Sequence, residues 1–395
     1  MNYEKNNDNI FIATGGTGGH IIPAISLARY LNQNSYNVKL IGDSNLVKYC
    51  RNDNFFDYHQ IYNAKISKNL SIFISIFKIL LGFIQSLILI FKYRPKMIIS
   101  FGGYSSFPVL LSAVISFRKI IIYEQNAHIG KVNRIFSRFA SKILLAFENC
   151  DGIKQDFLKK TRFVGGIVRE EFINARKQII YKKSLVSNRR NNKFNILIIG
   201  GSGGASLFSR VLAPIVVKEF SNYKEQIHIT QQCREEDRCF LQDLYDKHNF
   251  SCEVNDFFSD ICNKMLDSDI VIARSGSSTI FELSALAKPS IIIPFAKSSD
   301  NHQLKNAKSF ERYGGGVVIE EKDIKNNILT NIIKAHIESD NILQNCNKLS
   351  FDFFNLPLKY DSLLDNNSQE TSPQISSEAS IDCNFNLNLF LKNLR

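Results

Sequence analysis

Three glycine-rich turns carry the clearest chemical signal in this 395-residue chain. They are Thr14-Gly15-Gly16-Thr17-Gly18-Gly19-His20, Phe101-Gly102-Gly103-Tyr104-Ser105-Ser106 and Gly200-Gly201-Ser202-Gly203-Gly204-Ala205. Each follows a short apolar run. A glycine turn between strand and helix lets backbone N–H groups approach a phosphate at the helix's positive end. Any tight turn of this kind favours one glycine, whereas four in six residues ask for a ligand. The dinucleotide fingerprint G-x-G-x-x-G fails, because Ile21 or Ser206 stands at the third glycine position, although Asp43 ends the second predicted strand where a ribose would be held. No G-x-x-x-x-G-K-[ST] occurs at these turns, which argues against a P-loop NTPase. His20 closes the first turn and is a candidate general base, with a core histidine as the alternative. Glu124 follows the apolar Ile120–Tyr123 and precedes Gln125 and Asn126; base and structural carboxylate are equally good readings of it.

These turns need strands and helices to hold them, and the chain supplies an alternation of short apolar runs with amphipathic stretches. Strands are predicted at 10–14, 38–42, 97–100, 120–123 and 143–146, then at 194–200, 227–231, 270–273, 290–294 and 316–320. Repeated strand–helix units imply an α/β protein with two doubly wound parallel sheets, and 395 residues suffice for two domains. The polar run from Arg176 to Lys193 reads as a linker, the Ser-, Asn- and Gln-rich stretch after about residue 360 as flexible chain, and FNLNLFLKNL as a final helix.

One segment breaks the alternation. Leu70 to Phe91 is 22 residues with a single charge, long enough to span a bilayer. Its residues Ser71, Ser75, Lys78, Gly82 and Gln85 recur at steps of four and three, which puts them on one helix face. Such a stripe suits a helix packed in the domain, or one that also shows an apolar patch to a membrane, better than a span. Lys65 and Lys68 on one side, with Lys92, Arg94 and Lys96 on the other, suit anionic headgroups.

Charge is unevenly distributed. The chain carries 49 Lys and Arg against 37 Asp and Glu; residues 1–160 hold 20 and 9 of these, a net +11, and the remainder 29 and 28, a net +1. Nucleic acid, an anionic membrane or a phosphorylated substrate would each suit the basic half, as would a plain solvated surface. Nucleic acid is not expected, because Phe73, Phe77 and Phe83 fall in the apolar helix instead of interleaving with the cations. The eight cysteines form no C-x-x-C pair and the opening MNYEKNNDNI has no apolar leader core, so a cytoplasmic protein with free thiols is expected.

The run GGTGGHIIPA, the SFGGYSS loop, YEQN, the GG-x-G-A turn, RSGSSTIFEL and DNHQLKNA occur together, in order, between about residues 8 and 335. In these motifs the chain resembles the MurG family, the bacterial transferases that add N-acetylglucosamine to the lipid-linked muramyl-pentapeptide precursor of peptidoglycan. The resemblance implies the GT-B fold, two Rossmann-like domains facing a cleft, with an acceptor domain at 1–164, a UDP-sugar domain at 165–345 and an extension at 346–395. It implies inverting transfer from UDP-N-acetylglucosamine to the 4-hydroxyl of undecaprenyl-pyrophosphoryl-N-acetylmuramyl-pentapeptide, by an enzyme peripheral to the inner face of the cell membrane.

The resemblance also implies roles for residues. His20 or Glu124 would be the base. Gly16, Gly103, Tyr104 and Ser105 would meet the acceptor, and Thr17, Gly18, Gly19 and Asn126 the donor. Ser202 and the amides after it, with Arg169 and Arg274, would neutralise the diphosphate. Glu282 would take the ribose hydroxyls on a helix that opens with Ser277, Ser278 and Thr279. Phe258 would lie near the uracil, and His302 and Gln303 near the sugar. Asp267-Ser268-Asp269 reads as a metal-binding D-x-D, yet it precedes its strand while the ligand loop Arg274–Gly276 follows it, roughly 15 Å away at about 3.3 Å per residue. No metal cofactor is expected, since helix N-termini and arginines suffice for the diphosphate. Four positions depart from the family pattern: Gly166 and Ile167, because Gly165-Gly166-Ile167-Val168-Arg169 replaces G-N-P-V-R, Gly203, which replaces a glutamine, and Tyr123, which replaces the histidine before E-Q-N.

Overall fold

Runs of β-branched residues buried on both faces form the centres of two parallel sheets. The computed structural model describes residues 8–51, 57–64, 72–182, 193–201, 206–338 and 385–394. Two compact units emerge, Met1–Arg169 with Gln369–Arg395, and Glu170–Ser368.

The first unit holds β1 (Asn9–Ala13), β2 (Asn37–Gly42), β3 (Asp57–Gln60), β4 (Met97–Ser100), β5 (Lys119–Glu124), β6 (Lys142–Leu145) and β7 (Thr161–Phe163). All pair in parallel, in the order β3-β2-β1-β4-β5-β6-β7. The order reverses direction between β1 and β4, the switch point outside whose carboxyl ends open parallel sheets bind ligands. Helices α1 (Gly18–Gln33), α2 (Ser44–Cys50), α3 (Ile72–Tyr93), α4 (Ser106–Ile115) and α5 (Lys131–Phe136) connect the strands. Helix α1 starts at Gly18, and Pro23 lies in its second turn.

Helix α3 turns its small and polar residues inward. Ser75, Gly82 and Ser86 are buried; a Cβ on Gly82 would stand 1.8 Å from the Tyr62 carbonyl oxygen, and Gln85 Oε1 accepts from the Tyr62 amide at 2.9 Å. Ser112 of α4 donates to the Phe83 carbonyl at 3.0 Å. The opposite face exposes Phe73, Ile76, Phe77, Leu80, Ile84, Ile88 and Phe91, while Lys78 of the expected stripe is exposed and Ser71 lies outside the described residues. This is the one helix among the described residues long and apolar enough to cross a membrane. Its packing along α4, between two strands of one sheet, lays it on the domain instead.

The second unit orders β8 (Phe194–Ile199), β9 (Ile227–Gln232), β10 (Ser251–Asn255), β11 (Ile270–Ala273), β12 (Ser290–Ile292) and β13 (Val317–Val318) as β10-β9-β8-β11-β12-β13, again all parallel. Its helices are α6 (Glu170–Lys182), α7 (Ala213–Glu219), α8 (Glu235–Lys247), α9 (Ile261–Asp267), α10 (Ser277–Ala285), α11 (His302–Arg312) and α12 (Ile328–Glu338). The linker expectation fails over Arg176–Lys182, which is helical. Arg176 is fully buried and its Nη1 donates to the Ala285 carbonyl at 2.9 Å, tying α6 to α10 within the unit.

The expected final helix forms as α13 (Phe385–Leu394) and docks on the first unit. Phe390 is buried with its ring 5.6 Å from that of Tyr123. Lys119 and Lys142 donate to the carbonyls of Leu394 and Asn393 at 3.2 and 2.7 Å, cations at the negative end of a helix.

Candidate active site

In the first unit the turns after β1 and β4 interlock. Gly15 and Gly103 make this contact: Cβ atoms there would stand 2.4 Å from Ser105 Oγ and 2.9 Å from the Gly15 carbonyl oxygen respectively, and both residues have positive φ. The ring of His20 borders the same spot, 4.0 Å from the Cβ position of Gly103. Thr17 occupies the N-cap of α1 but does not cap it; its Oγ1 pairs with His20 Nδ1 at 3.2 Å. The first-turn amides of α1 therefore receive no side-chain cap, as an anion site at Gly18 and Gly19 would want. In the tautomer whose Nδ1–H donates to Thr17, Nε2 of the half-buried His20 holds the lone pair a general base needs.

Two residues expected to meet the acceptor are engaged inside the domain. Gly16 donates its N–H to Asp43 Oδ2 at 2.9 Å and accepts at its carbonyl from Asn45 Nδ2 at 2.8 Å. Ser105 donates to Asp43 Oδ2 at 2.8 Å and accepts from Asn63 Nδ2 at 2.6 Å. Ser105 is buried and shapes the loop from within, whereas Gly16 stays exposed. Gly103 and the exposed Tyr104 remain at its surface.

Glu124 resolves toward its structural reading. The carboxylate is 1% exposed, and four donors occupy it: Asn126 N (3.0 Å) and Nδ2 (3.2 Å) on Oε1, Gly130 N (2.9 Å) and Asn133 Nδ2 (2.9 Å) on Oε2. Burial raises its pKa, and these four bonds pull the other way. A base with no free lone pair on a substrate proton is poorly placed, and Glu124 instead folds the 125–130 loop. Gln125 beside it was not singled out from the sequence, yet its side-chain oxygen is buried without a partner.

In the second unit the candidates gather at the carboxyl ends of β11 and β12. Gly276 caps α10 without a side-chain bond; Ser277 is buried, Thr279 half-buried, and Ser278 Oγ is buried with no partner. Glu282, one turn on, is also buried. Helix α11 braces this loop. Ser275 Oγ donates to the Gln303 carbonyl at 2.8 Å, Asn306 Nδ2 donates to the Ser275 carbonyl at 3.2 Å, and Gln303 Oε1 accepts from Phe295 N at 3.0 Å. Left-handed Asp300 and Asn301 turn the chain into α11, where His302 Nδ1 bonds the Ser299 carbonyl at 2.6 Å. Phe258 is buried beneath Lys264, whose Nζ lies 5.7 Å from the ring centroid.

Arg274, the expected diphosphate cation, is engaged within the unit. It is buried, ion-paired with Glu321 at 2.6 Å, and donates to the Ile293 and Pro294 carbonyls at 3.1 and 3.2 Å. Desolvation lowers its pKa and Glu321 opposes that shift. The guanidinium staples the end of β12. Arg169 is half-buried at the last position of the first unit, and Ser202 lies outside the described residues.

The D-x-D segment is tied into the fold at the far end of its strand. Asp269 Oδ2 accepts from Asn195 N at 2.8 Å, and the half-buried Lys288 donates to the Leu266 and Ser268 carbonyls at 2.7 and 2.8 Å, all at the amino ends of the strands. Among the described residues no three His, Cys, Asp or Glu side chains converge on one point.

Comparison with known proteins places these two sites in one family. The glycosyltransferase family 28 N-terminal domain matches residues 10–145 and its C-terminal domain residues 195–353. The UDP-N-acetylglucosamine–N-acetylmuramyl-(pentapeptide) pyrophosphoryl-undecaprenol N-acetylglucosamine transferase of Rickettsia bellii is 34% identical over 344 residues, covering 86% of this chain and 93% of its own. That of Rickettsia canadensis is 35% identical over 338 residues, covering 85% and 92%. Among solved structures, Acinetobacter baumannii MurG superposes with a TM-score of 0.67 at 23% identity over 91% of this chain and 99% of its own, a likeness of fold. The chain belongs to glycosyltransferase family 28, and within it to the family of these N-acetylglucosamine transferases.

Proposed function

We propose that the protein transfers N-acetylglucosamine from UDP-N-acetylglucosamine to the 4-hydroxyl of undecaprenyl-pyrophosphoryl-N-acetylmuramyl-pentapeptide, with inversion. The observation that carries this reading is the 34% identity, running through both domains, to a transferase of that name. His20 Nε2 takes the proton of the attacking hydroxyl, whose oxygen bonds to the sugar's anomeric carbon as the bond to UDP breaks. The leaving diphosphate collects negative charge, which uncapped helix N-termini and their backbone amides stabilise. Glu282 holds the ribose hydroxyls, and His302 and Gln303 stand by the sugar.

No metal enters this scheme. The D-x-D carboxylates lie at the amino ends of their strands, one of them bonded to Asn195, away from the glycine loops. Turnover is expected to survive EDTA; loss of turnover that Mg²⁺ restores would overturn a metal-free clamp. The protein acts at the inner face of the cell membrane, held peripherally by the exposed apolar face of α3 and the cations Lys92 and Arg94 beside it. Nucleic acid is no partner in this scheme.

Incubation of the purified protein with labelled UDP-N-acetylglucosamine and a short-chain analogue of the lipid-linked muramyl pentapeptide tests the activity. A labelled disaccharide is the expected product. Transfer from UDP-glucose or UDP-galactose in its place would overturn the donor assignment.

A further inference from the structure

The fingerprint of a dinucleotide enzyme fails in this chain, yet an aspartate stands at the end of β2, buried and engaged. Asp43 is the N-cap of α2: its Oδ1 accepts from Asn45 N at 3.0 Å and Leu46 N at 3.2 Å. Helix capping needs only that one oxygen. The second oxygen reaches out of its own element to two others, accepting from Gly16 N in the turn after β1 and from Ser105 Oγ in the turn after β4. Asn45, two residues on, takes the other backbone group of the same residue by donating to the Gly16 carbonyl. Gly16 has a φ of +84°, a conformation that its neighbours must hold in place. His20 lies four residues further along this turn, tied to Thr17 Oγ1, and its ring borders Gly103 of the loop that Ser105 anchors.

We propose that Asp43 and Asn45 are positioning residues for the transfer reaction: they clamp Gly16 from both sides, and Asp43 locks the Ser105 loop against it, so that His20 faces the acceptor hydroxyl in one orientation. The proposal deepens the reading of His20 as base and rests on it. Neither side chain touches the reacting atoms. Each acts through a glycine turn that has no side chain of its own to hold its shape, so the polar partners of its backbone set where His20 sits. A shift of about 1 Å in a catalytic group can lower turnover on the order of 10²-fold.

Asp43→Asn and Asp43→Ser isolate the clamp from the cap, because serine and asparagine cap helices about as well as aspartate. Asparagine presents an amide donor, or loses the cap, where Gly16 N–H and Ser105 Oγ–H need an acceptor; serine reaches only one side. Asn45→Ala releases the carbonyl end alone. The full chain is assayed with UDP-N-acetylglucosamine and the short-chain acceptor analogue, with UDP affinity by calorimetry and thermal unfolding measured in parallel. The Asp43 variants should lose on the order of 10- to 100-fold in kcat. Their UDP affinity should stay within about twofold and their melting temperature within a few degrees, the split a merely structural role would not produce. In a His20→Ala background the Asp43→Asn change should lower kcat by less than about twofold, because the group it positions is gone.

Parental kcat in both Asp43 variants overturns the clamp. So does a fall in kcat matched by equal losses of UDP affinity and thermal stability, and so does full additivity with His20→Ala. A His20→Ala enzyme with parental turnover refutes the base reading, and with it the positioning of His20 by this clamp, whereas parental kcat in the Asp43 variants beside an impaired His20→Ala refutes the clamp alone.

Discussion

Replacing Phe73, Phe77 and Phe91 together by serine should release the protein from vesicles without unfolding it. These side chains are 78%, 59% and 66% exposed along the outer face of α3. With about 200 Å² in each phenylalanine, each leaves on the order of 120–160 Å² in water, worth ~3 kcal/mol if withdrawn completely at ~25 cal/mol per Å². An interfacial helix sinks only its outer face into the headgroup boundary, so about half of that, ~1.5 kcal/mol or tenfold per ring, is realised. Three rings then account for about 10³ in the vesicle partition coefficient, read by co-sedimentation with vesicles containing anionic lipid. Serine and phenylalanine have similar helix propensities, so the melting temperature should move by no more than a few degrees. Transfer to the short-chain acceptor should persist. A triple variant that partitions within tenfold of the parent would refute a membrane role for this face, and a collapse of thermal stability would show that the rings pack against protein instead.

Lys92→Ser with Arg94→Ser should weaken binding to anionic vesicles by about 1 kcal/mol per charge and leave neutral vesicles unaffected, whereas Lys96 is engaged by Asp8 at 2.7 Å and should matter less. Gly82→Ala drives a methyl into the Tyr62 carbonyl and should cost about 1–3 kcal/mol of stability, read by denaturant unfolding; an unchanged midpoint would refute the close approach. Desolvation lowers the Lys288 pKa from 10.5 to about 8. The penalty of its charge is complete below pH ~8, and the unfolded chain holds the extra proton up to pH ~10.5, so stability should rise across that window by up to ~3 kcal/mol relative to Lys288→Met; parallel curves for the two proteins would refute it. Tyr123→Phe should cost about 2 kcal/mol by removing a buried hydroxyl from two backbone groups, and about 1 kcal/mol less in an Ile167→Pro background, which a double-mutant cycle measures.

Apart from the edge strand β13, the strands legible in the sequence are those with neighbours on both sides, such as β1, β4, β5, β8 and β11, where burial on two faces demands an unbroken apolar run. Those it missed, β3 (DYHQ), β7 (TRF) and β10 (SCEVN), are all sheet edges, where one side meets water and polar residues are tolerated. The stripe on α3 was visible as a period, but a period does not say which face turns inward. Packing against α4 and Tyr62 decided that, because close approach needs Gly82 and Ser86 and has no room for phenylalanine. In the site, the glycine turns and His20 were legible as motifs. The engagement of Arg274 by Glu321, 47 positions away, and of Ser105 by Asp43, 62 positions away, depends on the folded sheet and leaves no local trace. Asp43 was readable as the end of a strand and unreadable as a tie between three turns.

The departures from the family pattern at positions 123 and 167 looked independent in the sequence and meet in the fold. The Tyr123 hydroxyl donates to the Gly165 carbonyl at 3.1 Å and accepts from the Ile167 amide at 3.2 Å. Burial raises the phenol's pKa far above its ordinary value, so it stays protonated and able to donate throughout the working range. A proline at 167 would bring no N–H to this oxygen. Tyrosine there without an amide at 167 would bury a hydroxyl with one interaction missing, and an amide at 167 without the phenol would lose this acceptor in a place sealed from water. The phenol and the amide therefore satisfy each other. The same ring lies 5.0 Å from Phe101, the residue that leads into Gly102 and Gly103, and packs on Phe390 of α13. The pair thus ties the start of the crossover to the acceptor-side glycine turn and to the chain's final helix, a connection that a backbone fixed by proline would not need to make through a side chain.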